Sequence, residues 1–239
     1  MLVYDSKSGI LRKLIDSILS GGVTSDALAR PSIANVNNND NEDQNVIISF
    51  SKTGTVTDGY ISNVEYSKKW HQLGKRWTEV WTADIGYAVA APPSLGNTYG
   101  DKELEIVVGL KNGSLIVLDS DGNQKWQYHA LPKYSALKGD LEQMNLGFTA
   151  ISDIDNDGKA EIISADYTDT IYYDLPGTLY VLEDNGASYT EEAVINISVD
   201  GGAKGAVAIA NLDNDDNQEI VVPSYYGIRV YENFSGVEV

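Results

Sequence analysis

The chain has 239 residues and sets 35 Asp and Glu against 17 Lys and Arg, a formal net charge of −18, with no cysteine. That charge repels phosphate backbones and anionic lipid, which argues against nucleic-acid or membrane-surface binding, and the lack of cysteine excludes a disulfide framework, a thiol nucleophile and any cysteine-ligated metal centre. No run approaches the ~18 apolar residues that a bilayer span needs. Residues 1–20 lack the basic start and apolar block of a signal peptide, so any leader is expected outside this chain.

In chain order, residues 1–27 read as half a repeat unit. The stretch Leu2-Val-Tyr-Asp-Ser-Lys-Ser-Gly-Ile-Leu11 has outer-strand character, and Ser8-Gly9 favours a hairpin over the helix that the spacing of Leu11 to Leu19 would suit. Units at 28–83, 84–144, 145–202 and 203–239 follow, each marked by an acidic or amide residue before a β-branched run. These are Asn45-Val46-Ile47-Ile48, Glu105-Ile106-Val107-Val108, Glu161-Ile162-Ile163 and Glu219-Ile220-Val221-Val222, spaced 60, 56 and 58 residues apart. After each of the last three comes a glycine, an alternating apolar strand and a turn, as in Gly113 to Trp126, Gly177 to Gly186 and Gly227 to Gly236. Repetition at this period is the mark of stacked supersecondary units.

Asp-Gly and Asn-Gly between apolar runs are tight hairpin turns, so each unit predicts three or four short antiparallel strands. A lone four-stranded sheet cannot bury both faces; such sheets must stack, and radial stacking gives a β-propeller. The predicted fold is therefore all-β: about four four-stranded blades and an N-terminal half-blade. The orphan half-blade predicts a fragment of a larger propeller, or a protomer that completes its ring with another chain.

Between the first two strands of the third unit lies Asp153-Ile-Asp155-Asn-Asp157-Gly158-Lys-Ala-Glu161. Carboxylates at alternate positions of a tight loop converge on one point, the glycine lets the chain reverse, and a carbonyl follows; an oxygen-only cage of this kind suits a hard divalent cation, calcium above all. The fourth unit has the same pattern from Asn211 to Glu219. An EF-hand would carry Glu at position 12, where these loops have Ser164 and Val222. The alternative is an Asx-rich turn that bonds only its own backbone.

These loops resemble the FG-GAP/VCBS repeats of integrin-α-like β-propellers, whose blades carry Asp-x-Asp-x-Asp-Gly-x-x-Asp/Glu calcium loops. The resemblance spans residues 28 to 236. It implies Asp153, Asp155, Asp157, the Lys159 carbonyl and Glu161 as calcium ligands in the third unit, and Asn211, Asp213, Asp215, the Asn217 carbonyl and Glu219 in the fourth. Asp216 departs from the family's glycine. The first unit offers only amides, Asn35, Asn37 and Asn39, with about two extra residues before the strand, and in the second unit the spacing reads as lost.

Residues Gly113 to Tyr128 also resemble outer strands of quinoprotein-type repeats, which implies an inter-blade packing role for Trp126, with Trp70 as its counterpart. His71 and His129 read as exposed and without a carboxylate or nucleophile partner, and no acid/base pair stands apart from the metal loops. The expected function is that of a calcium-stabilised extracellular or cell-surface module for adhesion, for binding a protein or glycan ligand, or for structural interaction, not an enzyme. A polysaccharide-binding or polysaccharide-cleaving propeller and a passive scaffold in a larger surface assembly are the alternatives.

Overall fold

A computed structural model describes residues 2–4, 11–14, 27–28, 31–38, 45–51, 58–67, 76–130, 145–167, 177–197, 203–213, 215, 217–224, 226–232 and 237–238. Every regular element among them is a strand. Strands β1 (Leu2–Tyr4) and β2 (Leu11–Leu14) pair as an antiparallel ribbon. In the first sheet, β3 (Ala27–Leu28) and β4 (Ser32–Ala34) both pair with β5 (Asn45–Ser51), which is followed by β6 (Gly59–Ser67) and β7 (Arg76–Asp84). The second runs β8 (Ser94–Gly96), β9 (Glu105–Gly109), β10 (Ser114–Leu118), β11 (Gln124–His129). The third runs β12 (Asn145–Ser152), β13 (Glu161–Tyr167), β14 (Thr178–Asp184), β15 (Tyr189–Asn196). The fourth runs β16 (Ala208–Ala210), β17 (Glu219–Ser224), β18 (Gly227–Glu232), β19 (Val237–Glu238). All pairs are antiparallel between sequence neighbours, apart from β3, whose partner is β5.

The four sheets stack face to face. Strands β9 and β10 are buried at every residue, which is why they read as continuous apolar runs and not as alternation. Because the side-chain period is two, successive residues of such a strand serve different interfaces. Ile106, Val108 and Leu118 pack with Ile47 and Ile61 of the first sheet, whereas Val107, Leu115 and Val117 pack with Ile162, Tyr180 and Leu182 of the third. Ile163, Leu179 and Val181 then face Ile220, Val222 and Tyr231 of the fourth. First strands lie side by side along the stack, β4 by β8, β8 by β12 and β12 by β16. The second and third sheets approach closely at Gly109, where a Cβ would stand 2.2 Å from the Leu146 carbonyl oxygen, so no side chain fits there.

Among the described residues, the fourth sheet exposes apolar side chains whose counterparts in the other sheets are buried. Leu115, Leu179 and Ile228 hold the same register position in the second, third and fourth sheets, two residues before the Val117–Val107, Val181–Ile163 and Val230–Val221 pairs. Leu115 and Leu179 are 0% exposed and Ile228 is 70% exposed. The loops repeat this contrast, with Ile154 wholly buried and its counterpart Leu212 exposed.

The tryptophan reading needs correction. Trp126 is buried between the second and third sheets, and its Nε1 donates to Asp184 Oδ1 at 2.7 Å. Its counterpart is Trp81: Trp81 opposes Asn63 as Trp126 opposes Val117, and its Nε1 donates across to the Ser120 carbonyl at 2.9 Å. Trp70, the residue expected there, lies outside the described residues, as do His71, Asn39 and Asp216.

Candidate metal centre

The loop between β12 and β13 brings Asp153, Asp155, Asp157 and Glu161 together, each offering a carboxylate oxygen within 4.8 Å of the others. Two backbone positions shape it. Asn156 has φ 62° and Gly158 φ 96°; asparagine enters the left-handed region more readily than most residues and glycine does so without steric penalty. The chain thereby wraps around its own carboxylates: Asp157 N–H donates to Asp153 Oδ1 and Asp155 Oδ1, both at 3.1 Å, and Gly158 N–H to Asp153 Oδ2 at 3.0 Å. Lys159 N–H donates to Asp157 Oδ1 at 2.9 Å, while its ammonium is turned away to Glu183 Oε1 at 2.7 Å. These bonds are what an Asx-rich turn would make.

Glu161 is what such a turn does not explain. It is 0% exposed, its Oε2 accepts the Ile154 N–H at 2.7 Å, and its Oε1 has no hydrogen-bond partner. A buried, unpaired carboxylate oxygen costs several times what an ordinary hydrogen bond contributes, and here it faces further acids. Burial first, and then the charge of Asp155, push its pKa up to about 8 against the Ile154 bond that lowers it. The arrangement fits a cation, which would complete the coordination of Oε1 and relieve the repulsion among the four carboxylates.

The fourth sheet repeats the construction. Asp213, Asp215 and Glu219 converge in the same way, the Leu212 N–H donates to Glu219 Oε2 at 2.5 Å, and Glu219 Oε1 is buried and unpartnered. Asn217 N–H donates to Asp215 Oδ1 at 2.7 Å, as Lys159 does to Asp157, and its side-chain amide reaches Glu232 at 3.3 Å. The Asn211 amide is bonded to the Asp215 carbonyl within the loop.

The second unit corrects the expectation of lost spacing. Glu105 Oε2 accepts the Thr98 N–H, seven residues back, at 2.9 Å, the same relation as Glu161 to Ile154 and Glu219 to Leu212. Glu103 N–H donates to Asp101 Oδ1 at 2.8 Å, as Lys159 donates to Asp157, and Gly100 supplies the left-handed residue at φ 84°. Counting from Asn97 as from Asp153, the position of Asp155 holds Tyr99. In the first unit, Asn45 replaces the glutamate, accepts the Val36 N–H nine residues back at 3.2 Å, and gives its own amide to Asn63.

Two acids of the third sheet escape sequence reasoning. Glu192, on β15, has a buried Oε2 without a partner, and burial together with Asp155, Glu183 and Asp157 pushes its pKa up to about 6. It stands at the β-bulge where β14–β15 pairing slips, a feature that strand periodicity hides. Asp166 is buried away from the loop, accepts the Thr178 N–H at 2.9 Å and is pushed up by burial to about 7. His129 is exposed as expected, but its Nδ1 meets the buried Ser114 hydroxyl at 2.7 Å across the β10–β11 pair.

No family model matches the chain, and no curated protein does. Among solved structures it is similar to Bacillus licheniformis rhamnogalacturonan lyase PL11, with a TM-score of 0.58 at 13% sequence identity. The similarity covers 86% of this chain and 46% of that one, so this chain spans about half the length of that neighbour.

Proposed function

We propose that this chain forms blades of a β-propeller of the FG-GAP/VCBS kind in which calcium braces two loops. The ligands are Asp153, Asp155, Asp157, the Lys159 carbonyl and Glu161 in one, and Asn211, Asp213, Asp215, the Asn217 carbonyl and Glu219 in the other. The observation that carries this reading is the pair of buried, unpartnered oxygens, Glu161 Oε1 and Glu219 Oε1, each set in its acidic loop. A hard cation with oxygen ligands meets both needs at once, and extracellular calcium is abundant enough to fill sites of modest affinity. The propeller serves outside the cell or at its surface as a binding module for a protein or glycan, without catalysis of its own.

The exposure of Ile228 and Leu212 on the fourth sheet, whose counterparts are buried in the third, supports association with further blades or another chain. Thermal denaturation in chelator and in calcium tests the metal reading: calcium should raise the melting temperature, and identical curves would remove it.

A second reading is favoured by one observation. The structural similarity to a rhamnogalacturonan lyase supports a polysaccharide-binding or polysaccharide-cleaving role. Incubation with acidic polysaccharides, rhamnogalacturonan among them, decides between the two: turnover that disappears on substitution of a carboxylate outside the loops would establish the enzyme.

A further inference from the structure

The second sheet keeps the backbone of the metal loops but not their charge. Glu105 is 3% exposed and anchors Thr98 through Oε2, as Glu161 anchors Ile154. Its Oε1, the atom left bare in Glu161 and Glu219, is taken by the Lys125 ammonium at 2.9 Å. The same ammonium lies 3.2 Å from Oδ2 of Asp184, a wholly buried residue of the third sheet, and 4.7 Å from the centre of the Tyr99 ring. The Thr98 hydroxyl stands 2.6 Å from Asp184 Oδ2 and 3.1 Å from Glu105 Oε2, closing the cage. Burial works against the charge on Lys125, but the Glu105 bond and Asp184 outweigh it and hold the pKa above that of a free lysine.

Lys125 reaches this place from a β-bulge. Pairing of β10 with β11 slips between Val117 and Leu118, leaving Lys125 between Gln124 and Trp126 without an opposing residue. The β14–β15 pair slips at the matching place, and the residue left over there is Glu192. One bulge therefore presents a cation beside a loop with a single buried glutamate, and the other presents a further carboxylate beside a loop of four.

We propose that Lys125 is a tethered cation standing where an ion would sit in the second sheet, and that without its ammonium Glu105 Oε1 and Asp184 Oδ2 become the core of a divalent-cation site. The identity of that ion as calcium rests on the calcium reading of the Glu161 and Glu219 loops; the replacement of an ion by the ammonium does not. The device makes the interface between the second and third sheets independent of metal.

The test compares the full chain with Lys125→Met, counting calcium by titration calorimetry and following thermal denaturation in chelator and in millimolar calcium. Lys125→Met should bind one calcium ion more than the unsubstituted chain, and its loss of melting temperature in chelator should shrink when calcium is added. A Lys125→Met chain that folds only in calcium supports the proposal equally. Lys125→Glu, which gives this bulge the residue of the third sheet, should bind the extra ion more tightly than Lys125→Met. An unchanged ion count with a deficit indifferent to calcium overturns the proposal, as does a Lys125→Met chain unfolded under both conditions. If the unsubstituted chain binds no calcium, the proposed function fails, but the difference between the two chains still decides this site.

Discussion

Glu161 accepts the Ile154 N–H on one carboxylate oxygen, at 2.7 Å, and leaves the other without a partner beside three aspartates. The amide bond fixes the carboxylate in place. Ile154 itself is locked into the core between the third and fourth sheets, so loop geometry and sheet packing are tied through a single peptide group.

Replacing Glu161 with glutamine therefore separates two effects. The amide oxygen can still accept the Ile154 N–H, but the buried charge is gone. We expect Glu161→Gln to be as stable as the parent or more so in chelator, and to lose at least about tenfold in calcium affinity at this loop. Calorimetric titration with a chelator-stripped sample checks both. Glu219→Gln should behave likewise at the fourth sheet.

Without metal, stability should fall as the pH rises. Glu161 at about 8 and Asp166 at about 7 have folded-state pKa values above their ordinary ones. The folded chain then binds more protons than the unfolded chain between the two values, so the stabilisation is complete below the ordinary carboxylate range and is lost as pH climbs through the folded values. Urea denaturation in chelator across this range should show that decline. Asp166→Asn should flatten part of it and leave the calcium response unchanged, because Asp166 lies away from the loop.

The interfaces should carry unequal weight. Leu179→Ala opens a cavity in a fully buried site and should cost about 2–5 kcal/mol, whereas Ile228→Ala, at the matching register but 70% exposed, should cost no more than about 0.5 kcal/mol. Chemical denaturation of both variants measures the contrast. A large cost at Ile228 would mean that its face is covered in solution.

Trp126 joins two sheets by packing and by its bond to Asp184. Trp126→Phe keeps most of the apolar surface but removes the indole bond to Asp184 Oδ1, an oxygen that the Gly186 N–H also reaches, at 2.8 Å. The expected cost is about 1–3 kcal/mol, independent of calcium, and denaturant midpoints in chelator and in calcium would reveal any dependence.

Much of this was readable from residue order. The β-branched runs after Asn45, Glu105, Glu161 and Glu219 each begin a strand, and the carboxylates at 153, 155, 157 and 161 meet in one loop. What period and spacing do not carry is anything decided across a sheet or between sheets. Trp81 and Trp126 are 45 residues apart in sequence, and only the β6–β7 and β10–β11 registers make them equivalent. Lys125 and Glu192 were hidden for the same reason: a bulge shifts a residue off the alternating pattern, so its charge reads as ordinary surface. In the second loop the spacing of the acids reads as lost, while the relation that survives is a bond from a buried glutamate to the amide seven residues earlier.

The most direct measurement is the number of calcium ions bound by the chelator-stripped chain, read together with its melting temperature. Two ions and a rise in melting temperature, both lost in a chain carrying Glu161→Gln and Glu219→Gln, are what the account predicts. No bound calcium, or an equal number in that double variant, would contradict it.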